Sequence, residues 1–269
     1  MSYNIHVGNG GYLGWKILER TSEAQKTAFS KSAELQRSRD YFVENISKVQ
    51  SAEDLIGDYK LLSVALRAFG LDDDLNNKFF IRKVLEANPQ DENSIVSRLP
   101  DKRYANLNAA FGLWHSSSDD TNTLDAEAIT DMFTTRSFEK NIGAQHQEIE
   151  LALNAKRELA ELAGSNISND TKWLRIIGSK PLRKVFEGAF GLGQNFAKLP
   201  IDRQLSEFKA KAERLTGSSD IGQFTDGEQV ESLLKRYLLR TQIDSSTNTS
   251  KFSTALTLLS AGRSRSLLS

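Results

Sequence analysis

Apolar residues recur at three- and four-residue steps through most of the chain. That is the period of one helix face, not the alternation of a half-buried strand. The densest stretch runs from Tyr59 to Leu85, YKLLSVALRAFGLDDDLNNKFFIRKVL. Leu61, Leu62, Val64, Ala65, Leu66, Ala68 and Phe69 predict a helix that stops at Gly70. Leu75, Phe79, Phe80, Val84 and Leu85 predict a second helix beyond it. Gly70 is the expected glycine past the helix end, free to adopt positive φ, with Leu71 closing over the last turn. Asp72, Asp73 and Asp74 then fall in the first turn of the second helix. There carboxylates complement the unpaired N–H groups and the positive end of the dipole. Phe79 and Phe80 are adjacent and cannot share one stripe, so they read as core residues spanning two packed neighbours.

The same period organises the rest. Ser2–Val7 is a short extended run, and Gly8-Asn9-Gly10-Gly11 after it reads as a flexible start. Helices are predicted from Tyr12 to Phe29, burying Leu13, Ile17, Leu18 and Phe29, and from Ser32 to Val49, with Tyr41, Phe42 and Ile46 on one face. Ser51-Ala52-Glu53-Asp54 has the capping-box pattern and opens a short helix through Asp58. Ile95, Val96 and Leu99 form a small apolar cluster before a helix over Asp101–Phe111, which carries Tyr104 and Leu107 and stops at Gly112. Trp114–Thr123 is polar and Ser/Asp-rich, the composition of a linker.

Beyond it, Ile129, Met132, Phe133, Phe138 and Ile142 mark one helical stretch. Ile149, Leu151, Leu153, Leu159 and Leu162 mark another, ending at Gly164. Trp173–Ile177 is a short helix. Ser179 is placed to cap the next, with Pro181 in its first turn, where the missing N–H does little harm. That helix carries Leu182, Val185, Phe186 and Phe190. Ile201–Leu215 is amphipathic. Thr225-Asp226-Gly227-Glu228 is a second capping box, before Val230, Leu233, Leu234 and Leu238. Thr241–Thr249 is a polar spacer.

The tetrad Ala-Phe-Gly-Leu occurs at Ala68–Leu71, Ala110–Leu113 and Ala189–Leu192. Placing Ala68 on Ala189, an offset of 121, also puts Leu61 on Leu182, Val64 on Val185 and Arg82 on Arg203. The copy at Ala110 shares little beyond the tetrad. The expected fold class is all-α, with no substantial sheet and two similar helical halves related by an internal duplication. The expected division is an N-terminal half over 1–114, a linker over 115–123, a C-terminal half over 124–240, and a spacer and tail over 241–269.

Composition narrows the function classes. The chain has 35 Lys+Arg against 35 Asp+Glu, and neither a basic excess nor a basic stripe marks it as a nucleic-acid binder. It has no cysteine, which removes disulfides, thiolate catalysis and cysteine-ligated zinc. The sharper reading of that absence is a protein that must stay unbridged during export. The plainer one is a cytosolic protein that lacks the residue. The N-terminus shows no basic-then-apolar leader pattern. No apolar run approaches the roughly 18 residues of a membrane span, so no membrane insertion is expected.

The chemical motifs fail on inspection. In Gly8-Asn9-Gly10-Gly11-Tyr12-Leu13-Gly14 the sixth position is Leu13, not the glycine of a dinucleotide fingerprint. Asp72-x-Asp74-x-Asn76 starts like a calcium loop, but Asn77 stands where the turn glycine belongs and Lys83 where the bidentate glutamate belongs. His6, His115 and His146 form no pair at helical ligand spacing. No catalytic, cofactor-binding or metal residue is assigned, and no cofactor is expected. The candidate partner-binding residues are Phe252, Leu256 and Leu259, a stripe behind the polar spacer that either docks on the protein's own body or folds against a partner.

Several stretches together carry a resemblance. They are Gly14-Trp15 with Arg20-Thr21, Tyr41-Phe42 with Asn45-Ile46, the run Asp58–Leu85, and Asp101-Lys102-Arg103-Tyr104. In the second half they are Phe138-Glu139, Arg157-Glu158-Leu159, Leu182-Arg183 and Ala189–Leu192. In these the chain resembles an alphaproteobacterial family of unknown function whose members are encoded among flagellar genes. The resemblance implies a helical protein connected with motility, and no catalytic residue comes with it. The expectation is a non-enzymatic flagellar protein acting through protein–protein contacts, cytoplasmic or flagellum-associated, with export without a cleaved signal compatible. The partner and the oligomeric state stay open. The alternatives are a cytosolic enzyme with a site built from scattered polar residues, marked by a deep pocket with converging charges, and a chaperone cradling a partner helix, marked by an open apolar groove.

Overall fold

The computed structural model describes residues 5–113, 125–193 and 195–244. Among these it has thirteen α-helices and no strand, so the all-α expectation holds. The helices are α1 (Gly11–Ser30), α2 (Ala33–Asn45), α3 (Ala52–Gly57), α4 (Tyr59–Ala68), α5 (Lys78–Leu85), α6 (Ile95–Arg98) and α7 (Arg103–Phe111). After the segment 114–124 come α8 (Ala126–Gly143), α9 (Gln147–Gly164), α10 (Asn169–Gly178), α11 (Lys180–Phe190), α12 (Ile201–Thr216) and α13 (residues 227–244). The expected linker over 115–123 and the stripe of Phe252, Leu256 and Leu259 lie outside the described residues.

The hairpin of α8 and α9 is the spine. The apolar face of α4 packs on α8, flanked by α2, while α11 and the 3-10 turn Ile221–Thr225 pack on α9. Buried residues from before and after segment 114–124 join in one hydrophobic cluster. On the C-terminal side its centre is a set of rings. Phe186 lies 5.5 Å from Trp173, 5.4 Å from Phe190, 6.1 Å from Phe208 and 5.8 Å from Phe224, mostly edge to face. On the other side Trp15 of α1 is buried and donates through Nε1 to Glu231 of α13, which also pairs with Lys16.

The glycine corners form as the sequence implies. At Gly70 (φ 70°) the Gly70 N–H reaches the Arg67 carbonyl and the Leu71 N–H reaches the Leu66 carbonyl, closing α4 with a double turn. Gly191 (φ 65°) ends α11 through the same pair of bonds, to Gly188 and Glu187. Gly112 ends α7 differently, its N–H bonding back to the Asn108 carbonyl. The likeness of the first two corners is local geometry. The helix that follows has eight residues in one case and sixteen in the other. The Ser51/Asp54 capping box is present in both directions. Ser51→Ala should therefore cost about 1 kcal/mol in a urea titration with unchanged slope.

Several expectations need correction. The N-terminal segment is docked over its described part: Ile5 and Val7 are buried, the His6 backbone exchanges two hydrogen bonds with the Gln25 side chain, and in the glycine run read as a flexible start the Gly11 N–H donates to Glu148 at 3.0 Å. Gly14 permits this, since a Cβ there would stand 2.5 Å from the Val7 carbonyl oxygen. Leu13 is 72% exposed, because the buried face of α1 runs through Trp15, Leu18, Gln25 and Phe29, and Leu13 lies roughly opposite Trp15. Asp72–Asp74 do not start α5. They form their own 3-10 turn, in which Asp72 pairs with Arg67 and Asp74 accepts from the Tyr104 hydroxyl at 2.7 Å.

On α5 the buried face is Ile81, Val84 and Leu85, which turns Phe79 outward to 76% exposure. Phe80 packs edge-on against Tyr104. Met132 is exposed on α8. The second capping site sits one residue later than expected, at Asp226, which accepts from the Glu228 N–H, while Thr225 bonds to the Gly222 carbonyl. The expected spacer from Thr241 is helical as far as 244.

Candidate functional site

Where α4, α7, α8, α9, α10 and α11 meet, they leave a cavity of about 440 Å³. Its apolar lining comes from Phe69, Pro100, Met132, Leu162 and Leu182, and its polar lining is mostly charged. Each charged group is placed by a local device. Asp101 precedes α7 and accepts from the Arg103 backbone N–H, which brings the Arg103 guanidinium back onto its carboxylate at 2.7 to 3.1 Å. The free end of that guanidinium donates to the Gly70 carbonyl, so Arg103 fastens the α4 corner to the cavity wall.

Arg136 and Glu139 are three apart on α8, as are Asn154 and Arg157 on α9, so both pairs face the seam between the two helices. Arg136 lies 3.4 Å from Glu158 and 3.9 Å from Glu139, and Arg157 pairs with the other oxygen of Glu139. Asn154 Nδ2 donates to Glu158 at 3.1 Å. The seam is nearly dry, which shifts both sides of the pair toward neutrality. Burial, and then the neighbouring Arg157, lowers the Arg136 pKa, and burial raises that of Glu158 against the pull of Arg136, Arg157 and Arg103. Arginine nevertheless keeps its proton at neutral pH.

The remaining wall comes from the junction of α10 and α11, through Arg175, Ser179 and Leu182. Gly178 lets the Pro100 turn close onto this junction, where a Cβ would come within 2.8 Å of Pro100 Cβ. Ser179 occupies the N-cap position of α11, as expected, but its hydroxyl does not cap the helix. On the far side of Arg103 and Arg136 a smaller, polar hollow is lined by Asp72, Lys140, Glu150, Lys180 and Lys184. A wide groove between α1, α2, α4 and α8 has Phe29, Leu35, Val64 and Phe133 buried beneath a rim of serines and charges.

None of the charged residues lining the larger cavity was singled out from the sequence for a role. The charged members Asp101, Arg103, Glu139, Arg157 and Glu158 do sit inside the stretches that carry the family resemblance. Among the described residues no group of His, Cys, Asp and Glu is arranged to hold a metal, and no helix is long and apolar enough to cross a membrane.

Residues 68–230, more than half of the chain, match the model of a family described as Protein of unknown function (DUF1217). The fold is similar to the X-ray crystal structure of a protein from Agrobacterium tumefaciens, with a TM-score of 0.71 at 24% identity over 89% of this chain and 96% of that one. At that identity the likeness is one of fold. No curated protein gives a significant match.

Proposed function

We propose that this chain, which belongs to the DUF1217 family, is a non-enzymatic protein of the bacterial flagellar system. It acts through protein–protein contacts as an assembly factor, minor structural component or regulator, in the cytoplasm or at the flagellum. The cavity is its contact point, receiving a group that projects from the partner. The observation that carries this reading is the make-up of the walls: four arginines, Arg103, Arg136, Arg157 and Arg175, around an apolar floor. Arginine does not exchange its proton at neutral pH and presents a rigid fork of donors, which suits recognition and not proton transfer. An apolar cleft with a few convergent polar groups is the usual form of a binding pocket.

Met132→Trp tests the cavity directly. The side chain is exposed on α8, so the fold tolerates the change, while the indole enters the mouth. Deleting the gene should impair swimming or filament assembly, wild type should restore it, and Met132→Trp should not. Normal swimming in the deletion strain, in a host that assembles flagella, would sink the flagellar reading.

One observation favours the alternative of an enzyme with a site built from scattered residues. Charged groups from distant parts of the chain converge on the cavity, and Glu158 among them holds a raised pKa. Under that reading Glu158→Gln would abolish function while leaving partner capture intact. Under the recognition reading the two change together.

A further inference from the structure

We infer that the cavity contains a carboxylate subsite at the N-terminus of α11, built from Ser179, Arg175 and Arg157, with the apolar lining of the cavity holding the body that bears the carboxylate. This deepens the reading of the cavity as a contact site by naming the chemistry of the group it takes. It stands whether or not the partner is flagellar.

The argument starts from a cap that is not made. The first N–H groups of a helix have no intrahelical partner. At α3, α4, α8 and α10 a side chain supplies the acceptor: Ser51, Asp58, Asp125 and Ser168. At α11 the residue in that position is also a serine with extended backbone whose hydroxyl accepts nothing, as at Ser32 of α2 and Ser94 of α6, and it differs from those two in lining this cavity. Ser179 is only 8% exposed, and its Oγ has no hydrogen-bond partner at all. Pro181 removes one first-turn donor, which leaves the N–H groups of Lys180 and Leu182 at this end of the helix.

Ser179 and Leu182 both line the cavity. Two further residues of the same lining carry unpaired donors. Arg175, one turn earlier on α10, has its Nε buried without a partner, and Arg157 has Nη2 buried without one. Buried polar groups in folded proteins are nearly always paired. Three residues lining one cavity each carry such an atom, and one of them, Ser179, stands at the positive end of a helix, a combination that an acceptor from outside would satisfy.

The charges already present select which acceptor. Asp101 holds Arg103, and Glu158 and Glu139 hold Arg136 and Arg157. Asp131 and Glu161 also line the cavity. A phosphate dianion would be repelled by four lining carboxylates. A single carboxylate can be met by the donors that remain, and Phe69, Met132, Leu162 and Leu182 offer its carrier an apolar bed.

Hexanoate, hexanamide and inorganic phosphate are the probes, titrated into ¹⁵N-labelled full-length protein. Hexanoate should bind saturably and shift the Lys180 and Leu182 amide signals. Hexanamide and phosphate should not. Arg175→Gln and Ser179→Ala should each weaken hexanoate by about tenfold or more, the loss expected for one hydrogen bond to a charged group.

Ser179→Ala is the folding control, since the hydroxyl removed makes no bond and its loss should leave the melting temperature no lower. Ser179→Asp places a tethered carboxylate in the subsite and should abolish hexanoate binding while raising the melting temperature. The inference fails if hexanoate does not saturate, if hexanamide binds as well, if phosphate binds more tightly, or if the shifts persist unchanged in the Ser179 variants. Normal swimming in the deletion strain alongside hexanoate binding would remove the flagellar proposal and keep the subsite.

Discussion

Replacing Phe186 by alanine should destabilise the protein by about 3–5 kcal/mol, the range for removing a large ring from a core that cannot collapse around the gap. Phe186 is fully buried, and its ring touches those of Trp173, Phe190, Phe208 and Phe224. These belong to α10, α11, α12 and the 3-10 turn before α13, so no single neighbour can move in without dragging an element with it. Edge-to-face contacts between rings add stabilisation beyond the area buried. Chemical denaturation of wild type and variant, with the slope monitored, measures the loss. A cost below about 1.5 kcal/mol, the size of a volume-conserving swap, would mean that the ring cluster does not hold this side of the core.

Asn108→Asp should be as damaging, for an electrostatic reason. Asn108 is completely buried on α7, and its side-chain amide donates to the carbonyls of Val84 and Ala87 at 2.8 and 2.9 Å and to that of Leu85 at 3.3 Å. One NH₂ group thus satisfies the open C-terminal end of α5. Aspartate has the same shape but would turn an acceptor toward three acceptors, in a place where water does not reach. A buried charge without a partner costs roughly 3–5 kcal/mol.

The sign with pH follows. Burial among carbonyls would raise the new carboxyl's folded-state pKa above its unfolded value of about 3.9, so the damage is greatest at neutral pH and shrinks as the pH falls toward that value. Asn108→Leu, which only leaves the carbonyls without a donor, should cost less and show no such pH dependence. Equal losses for the two variants at neutral pH would refute the charge argument.

How much of this was legible in the sequence depends on the range of the interaction. The run Tyr59–Ala68, its stop at Gly70 and the matching stop at Gly191 are local devices, fixed by side-chain period and by one residue without a Cβ. Phe79 was misread because α5 is barely two turns long. Over eight residues a helical period cannot separate the face carrying Ile81 and Leu85 from the face carrying Phe79. Ser179 looked like an ordinary cap, since the sequence supplies the right residue type at the right place and says nothing of whether its hydroxyl is used.

The cavity was hidden for another reason. Asp101, Arg136, Arg157 and Arg175 lie far apart in the chain; the first three sit among polar neighbours that read as a solvated helix face, and Arg175 sits between Leu174 and Ile176 in a short apolar helix. The packing of α8 against α9 turns Arg136 and Arg157 toward one another, while Asp101, just before α7, and Arg175 on α10 line the same cavity. The stretches marked by family resemblance did contain several of them, without indicating that they meet.

The two indoles placed in the described residues give the molecule a built-in optical readout. Trp15 lies against the clasp between α1 and α13, and Trp173 is stacked on Phe208 with its N–H on the Ser219 carbonyl. Both are shielded, so each should emit toward the blue in the native state and move to the red when its own surroundings open. In a Trp114→Phe background, Trp15→Phe and Trp173→Phe, one at a time, would let fluorescence watch the surroundings of each indole separately and reveal whether they come apart together or in turn.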